Sequence, residues 1–301
     1  MPSSDRAPAP SARNIFTFVP GRGLVAFTTN NRDALAKALG ATNVDAIIDF
    51  VRAQPLGAVI GSTPAIVGPP SLEPAPDDDY GYAGVPGSFA DRLRDRRPLV
   101  WFGGSDGMLH AVDARTGFEV WAFIPWNLLP KLRALVEGQP VEQFAYFVEG
   151  NPTIADVKLS GRWRTVLCIG EGLGGTFYQA FDITEAGTNG PAPDSDDHVS
   201  VLASFAAGDA VDWLWAFPRY DVFDPSTVHQ LTVSDATPGG VLRLYGELTA
   251  QATPAELSVG FTWSTPVVGP LDANRTVHAA LVGSGYFPPV EDLLPGRGAS
   301  S

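Results

Sequence analysis

Alternation of apolar and polar positions divides the chain into many short segments rather than a few long ones. Arg13-Asn14-Ile15-Phe16-Thr17-Phe18 and Gly23-Leu24-Val25-Ala26-Phe27-Thr28 read as two short strands. Asn31 then stands where it would cap a helix running through Leu35 and Leu39. A second helix is predicted after Asn43, because Val44, Ile47, Ile48 and Val51 recur at helical spacing. Further on, one order of segments repeats. Thr63-Pro64-Ala65-Ile66-Val67-Gly68, Asn151-Pro152-Thr153-Ile154-Ala155-Asp156 and Thr265-Pro266-Val267-Val268-Gly269 each set a polar residue and a proline before an apolar pair or run. Each is followed, after a variable loop, by an apolar strand ending in glycine: Pro98 to Gly104, Arg164 to Gly170 and His278 to Gly283. The first two copies continue into a third strand, Met108 to Asp113 and Phe177 to Asp182, and into a fourth, Phe118 to Phe123 and Val199 to Phe205.

Four short antiparallel strands per repeat describe a propeller blade. Such a sheet is apolar on both faces and must stack on its neighbours, which accounts for nearly continuous apolar strands in place of strict alternation. Proline suits the opening of the first strand, where a ladder donor can be spared. The expected fold is therefore all-β, a quinoprotein-like propeller of four-stranded blades, with a small N-terminal α+β segment and short helical insertions. The expected division is a disordered lead at 1–12, an entry segment at 13–60 and blades over 61–290, with a tail at 291–301. Within the blades, 61–124 forms the first with a loop insertion at 69–97, and 125–149 is a helical insertion through Leu128, Leu129, Leu132 and Leu135. Blade two spans 150–206, an irregular insertion fills 207–260, and 261–290 is half of a third. Trp213 and Trp215 alternate as on a strand, and Val241 to Tyr245 suggests another. Closed propellers need about four to eight blades, so this array reads as open or truncated.

Composition agrees with many turns between strands: 301 residues carry 32 Gly and 27 Pro scattered among aromatic and β-branched runs. A net charge of -13, with no basic stripe, argues against nucleic acid as a partner. The single Cys168 allows no internal disulfide and lies in an apolar run, where it reads as a small buried hydrophobe. No apolar run is long enough to span a membrane, and Met1 to Arg6 is not followed by a signal-peptide core, so an export signal would lie outside this chain.

Candidate chemistry is sparse. Asp77-Asp78-Asp79 and Asp194-Ser195-Asp196-Asp197 lack the alternating oxygen ligands of a calcium loop and read as solvated acidic loops. His110, His198, His229 and His278 show no zinc-ligand spacing, and no nucleophile elbow or phosphate loop is present. Gly170-Glu171-Gly172-Leu173-Gly174 joins two strands rather than opening a helix, so it is not a dinucleotide loop.

The stretch Val100-Trp101-Phe102-Gly103-Gly104-Ser105-Asp106-Gly107-Met108-Leu109-His110-Ala111-Val112-Asp113, continuing through Thr116-Gly117 and Trp121 to Ile124-Pro125, resembles the PilY-type proteins of bacterial type IV pili. Leu128-Leu129-Pro130-Lys131-Leu132, then Val148-Glu149-Gly150-Asn151-Pro152 leading to Asp156, then Gly161-Arg162-Trp163-Arg164 with Gly172 to Gly175 and Asp182, resemble further segments of that family in the same order. Leu56-Gly57-Ala58-Val59 with Ser62-Thr63-Pro64 is similar to the family's entry, with Ala58 in place of the usual Asp. On this resemblance Asp106, Gly107, His110, Asp113, Thr116, Gly117, Trp121, Pro125, Gly150, Pro152, Asp156, Trp163 and Asp182 are structural signature residues. It implies a noncatalytic C-terminal propeller of an exported protein at the cell surface, the pilus tip or the outer membrane. The implied roles are pilus assembly, retraction control and adhesion, with tip pilins, minor pilins and host or abiotic surfaces as partners. It implies no cofactor beyond a calcium ion in the full-length protein, in a loop beyond this chain. Two alternatives stand beside it. Ala111 to Trp121 is close to the tryptophan-docking repeat of pyrroloquinoline-quinone dehydrogenases, although one Cys168 cannot supply a vicinal pair, and an outer-membrane assembly scaffold would share the propeller.

Overall fold

The structure, a computed structural model, describes residues 8–40, 43–136, 146–232, 241–272 and 277–285. Its N-terminal strands, β1 (Ile15–Val19) and β2 (Gly23–Ala26), form a hairpin. Helices α1 (Arg32–Leu39) and α2 (Val44–Ala53) follow. Asn43 caps α2 by accepting from the Ala46 amide at 3.1 Å, whereas Asn31 does not cap α1 and instead donates to the Ala26 carbonyl at 2.8 Å. Then come β3 (Ala65–Val67), the single-turn α3 (Phe89–Arg92), β4 (Leu99–Gly103), β5 (Leu109–Asp113) and β6 (Glu119–Ile124). The entry hairpin is not a separate layer. The first sheet runs in the order β2-β1-β6-β5-β4-β3, with β1 parallel to β6 and every other pair antiparallel.

Helix α4 (Leu129–Val136) leads to a second sheet of β7 (Thr153–Leu159), β8 (Arg162–Gly170), β9 (Tyr178–Asp182) and, past α5 (His198–Ala203), β10 (Asp212–Phe217). Its order is β10-β9-β8-β7, all antiparallel. Two hairpins complete the described residues: β11 (Phe223–Thr232) with β12 (Val241–Leu248), and, after α6 (Pro254–Leu257), β13 (Val267–Pro270) with β14 (His278–Leu281).

The expectation of an all-β chain is corrected to a mixed α+β architecture with several sheets, and the described residues form no closed propeller. Helices α1, α2 and α4 pack on one another and α1 and α4 also touch β11, so the entry helices and the insertion after Pro125 build one helical layer. Leu128, Leu129 and Leu132 are buried in it, while the Leu135 side chain lies outside the described residues.

A second correction concerns Val199 to Phe205, expected as a strand. Asp197 caps a helix there by accepting from the Ser200 amide at 3.1 Å, and Val201 and Phe205 face inward four residues apart while Val199 is exposed. The fourth strand of the second sheet is β10 instead, which carries Trp213 and Trp215 with a bulge between them. The lead is also shorter than 1–12. Pro10–Ala12 forms a 3-10 turn, and Arg52 Nη2 donates to the Pro10 carbonyl at 2.7 Å; residues 1–7 lie outside the described residues, as do 286–301 and the expected tail.

The sheets meet face to face. Phe181 of β9 packs edge-on against Trp121 (5.9 Å) and Phe123 (4.9 Å) of β6. On the other face of the second sheet, Val157, Val166, Cys168 and Ala180 receive Val268 and Ala280 of the β13–β14 hairpin. The polar residues before each proline join these layers at one end. Ser62 Oγ donates to the Gly150 carbonyl at 2.8 Å, the Thr63 amide donates to Asn151 Oδ1 at 2.7 Å, and Asn151 Nδ2 donates to Thr265 Oγ1 at 3.1 Å. Asn151 thus touches the unit before it and the unit after it. Asn151→Ala is expected to cost about 1–2 kcal/mol for two lost hydrogen bonds, measured by urea unfolding. Asn151→Asp, which keeps the acceptor alone, should fall between it and the parent protein.

Candidate functional site

The Asp106 to Asp113 segment turns tightly at Gly107, whose φ of +95° suits glycine and whose Cα faces Leu132 closely, a Cβ there lying 2.8 Å from Leu132 Cδ2. The turn brings Asp106 beside His110. The imidazole, fully buried, donates from Nε2 to Asp106 Oδ1 at 3.0 Å and from Nδ1 to Glu119 Oε2 at 2.9 Å. Glu119 also accepts a bidentate pair from Arg13 at 2.7 Å and 2.7 Å. Arg13 reaches the carbonyls of Arg52 and Gln54, and Asp106 Oδ2 accepts from the Gly57 amide at 2.9 Å. One charge-alternating chain therefore ties β5 and β6 to the start of β1 and to the segment after α2. Burial opposes charging the imidazole, but the Asp106 and Glu119 carboxylates outweigh it and raise His110 to about 9. Burial likewise opposes ionising Glu119, yet the His110 and Arg13 donors bring it down to about 2. With both nitrogens donating and no exposed surface, His110 has no free base for catalysis.

Asp113 anchors a second lock. Its carboxylate takes a bidentate pair from Arg97 at 2.7 Å and 2.9 Å, together with the amide and hydroxyl of Thr116. Burial is offset by these donors, and the Asp113 carboxyl sits below its ordinary range. Gly117, at φ +73°, closes the turn through its amide to the Asp113 carbonyl at 2.8 Å. Arg97 continues to the carbonyls of Ala192 (3.0 Å) and Ser195 (2.7 Å), so it fastens the acidic loop to the first sheet. In the second sheet Asp182 makes a tighter turn, accepting from the Thr184 amide two residues on at 2.9 Å.

A third group clasps the 69–97 insertion to the second sheet. Asp156 accepts from Tyr80 Oη at 2.8 Å and Thr165 Oγ1 at 2.7 Å. Trp163 Nε1 donates to Asp77 Oδ1 at 2.8 Å, with Tyr80 edge-on at 5.0 Å. Lys158 Nζ lies 2.9 Å from both Asp77 and Asp79. The acidic run is thus not simply solvated: Asp77 and Asp79 already hold an ammonium. In the other acidic stretch Asp196 pairs with Arg115 at 2.6 Å and Asp197 caps α5. Neither donor set fits a calcium ion, and among the described residues no group of three or more His, Cys, Asp or Glu is placed to hold a metal.

The remaining signature residues serve packing. Pro125 precedes the 3-10 turn Trp126–Leu128, Pro152 precedes β7, and Gly150 passes so close to β8 that a Cβ would lie 2.2 Å from the Gly170 carbonyl oxygen. Trp121 lies fully buried among Trp101, Phe16, Phe123 and Phe181.

One buried cluster went unforeseen. Glu171, fully buried in the Gly170 to Gly174 loop, accepts from Asn127 Nδ2 (2.9 Å), Gln179 Nε2 (3.1 Å) and the Phe177 amide (3.3 Å). Burial raises its carboxyl to about 8 and lowers the nearby Lys131 ammonium to about 8. Lys131 donates to the Tyr146 and Gly174 carbonyls, which fixes α4 on this loop. Gly174 and Gly175 are required here, since a Cβ on either would lie 1.5 Å from the Phe147 carbonyl oxygen or 1.9 Å from Glu171 Oε2. A buried polar partner for each end of the Gly-rich loop is the signal that glycine spacing alone conceals.

Over 207 residues, 59% of this chain, it is 32% identical to the type IV pilus biogenesis factor PilY1 of Pseudomonas aeruginosa strain UCBPP-PA14. Over 138 residues, 45% of the chain, it is 36% identical to a PilY1 homolog of Xylella fastidiosa. Over those stretches the chain is homologous to PilY1. It spans only 17% and 11% of the lengths of those two relatives. Against the crystal structure of the Pseudomonas aeruginosa PilY1 C-terminal domain, the TM-score is 0.35 at 24% identity, covering 66% of this chain and 27% of that one. No family model matches.

Proposed function

We propose that this segment is a noncatalytic interaction module of a PilY1-type type IV pilus biogenesis protein, and that its stacked sheets are blades of a propeller. The observation that carries the reading is the sequence match to PilY1 proteins, which reaches 32% over 207 residues. The side chains of the resembling motifs support a scaffold: His110, Asp113, Asp156 and Trp163 are spent on locks between layers, leaving no exposed nucleophile or base among them. Layer-on-layer stacking and the polar-proline links support blades. The outer face of the β13–β14 hairpin presents Val267, Leu271, Val277 and Leu281 to solvent, an apolar face of the kind that blades stack through. On this reading the protein is exported and works at the cell surface, pilus tip or outer membrane, with tip pilins, minor pilins and host or abiotic surfaces as partners. Among the described residues no helix is long and apolar enough to cross a membrane. Pilus assembly, retraction control and adhesion are the roles assigned.

Deleting the parent gene should reduce surface piliation and twitching, and a copy lacking only this segment should fail to restore them. Full piliation and normal surface attachment in the deletion strain would overturn the reading. Quinone-dependent oxidation after reconstitution with quinone and calcium would favour the dehydrogenase alternative instead.

A further inference from the structure

The clasp between the 69–97 insertion and the second sheet leaves an open cleft of about 660 Å³. Its walls carry three guanidinium groups, Arg92 from α3 and Arg162 and Arg164 from β8. The Ser160-Gly161 turn, with φ of +49° and +78°, delivers Arg162 to the rim as the first residue of its strand. Arg162 and Arg164 stand two residues apart and so project on one face, about 7 Å from each other.

The balance of donors in this cleft is uneven. Each guanidinium carries five N–H groups. Arg92 contacts Glu185 through one oxygen at 2.5 Å and remains 48% exposed; Arg164 reaches Asp182 only at 3.4 Å and remains 34% exposed. Arg162 is exposed and pairs with no carboxylate among the described residues. The acids are more fully used. Asp79 is held by Lys158, and Glu185 by Arg92 and Thr188, which leaves Asp78 as the one lining carboxylate without an ion pair among the described residues. Formal charge in the cleft cancels, but unspent hydrogen-bond donors outnumber unspent acceptors. The two aromatic rings in its lining, Phe89 and Trp163, are buried against Tyr80, and its exposed apolar lining is confined to Val85 and Pro86. Guanidinium forks in a mostly polar cleft, with two small apolar residues and no deep apolar pocket, suit a hydrophilic chain bearing carboxylates or sulfates better than a peptide that must seat side chains.

We propose that this cleft binds an acidic polysaccharide through Arg92, Arg162 and Arg164. The assignment is independent of the pilus reading, since binding can be measured on the isolated chain while piliation is scored in cells. With a net charge of -13 the chain as a whole repels polyanions, so retention of one requires a local site. The probes are polygalacturonate, dextran sulfate, neutral dextran and polyglutamate, immobilised and titrated with the full chain at low salt. Polygalacturonate or dextran sulfate should bind, neutral dextran should not, and Arg162→Glu should weaken binding by roughly tenfold or more. Arg162 is exposed and unpaired, so its replacement should leave the urea midpoint unchanged, and Arg92→Ala with Arg164→Ala should lower binding further. Undiminished binding by Arg162→Glu, or binding to none of the probes, would overturn the site. Tighter binding to polyglutamate than to either polysaccharide would overturn the ligand class.

Discussion

Replacing Glu119 by Ala should destabilise the chain by about 3–5 kcal/mol, because it strands two buried cations at once. Arg13 and His110 each lose a carboxylate partner at 2.7 Å to 2.9 Å, in a region where neither can turn to water. Glu119→Gln preserves the shape and part of the hydrogen bonding while removing the charge, and should cost less. Stability of the parent protein should also depend on pH in a direction fixed by the two shifts. His110 is raised from 6.5 to about 9, so its contribution is fully present below pH 6.5 and is lost as pH climbs through 9. Glu119 is lowered from 4.5 to about 2, so its contribution is present above pH 4.5 and is lost as pH falls toward 2. The lock is therefore strongest between those limits, and the alkaline arm is the accessible test. Urea midpoints taken from pH 6 to 10 should decline in the parent and decline less in Glu119→Ala, where one of the groups that raises His110 is gone. A loss below 1 kcal/mol, or the same alkaline slope in both proteins, would show that the chain of charges does not hold the sheet to its entry segment.

How far the sequence could be read followed the range of the interactions involved. Strands β4, β5, β7, β8 and β9 were legible because their apolar runs and terminal glycines are local signals. The helix at His198–Ala203 was not, since a six-residue run of Val, Ser and Leu fits either period, and the deciding capping bond from Asp197 concerns a residue outside the run. The parallel pairing of β1 with β6 was hidden for a different reason: Ile15 and Ala122 are register partners more than a hundred residues apart, and no local pattern records that. The same holds for the locks. His110 and Asp113 stood out within their motif, but Arg13, which pairs with Glu119 beside His110, and Arg97, which pairs with Asp113, both come from outside it. Asp77 to Asp79 looked solvated because the residue they hold, Lys158, arrives from the far side of the repeat.

Trp121→Ala should cost about as much as the loss of Glu119, roughly 3–5 kcal/mol, by a different mechanism. The indole is fully buried, with Trp101 at 5.7 Å, Phe16 at 6.3 Å and Phe123 at 6.0 Å within its own sheet, and Phe181 at 5.9 Å across the interface. Truncation would open a cavity in an aromatic contact between the two large sheets, which also meet where Phe18 stacks on Trp213 at 3.7 Å, and rigid neighbours on both sides cannot close it. Trp121→Phe separates packing from hydrogen bonding. The indole Nε1 has no acceptor among the described residues, so a phenyl ring forfeits volume alone and should lose no more than about 1.5 kcal/mol. The two variants also test whether the sheets unfold together. If they form one cooperative unit, Trp121→Ala should lower the urea midpoint equally whether unfolding is followed by far-ultraviolet circular dichroism or by the exposure of Cys168, which is buried on the opposite face of the second sheet. Two separate transitions, with Cys168 still protected after the first sheet has melted, would mean that the contact between Trp121 and Phe181 joins the layers without coupling their stability.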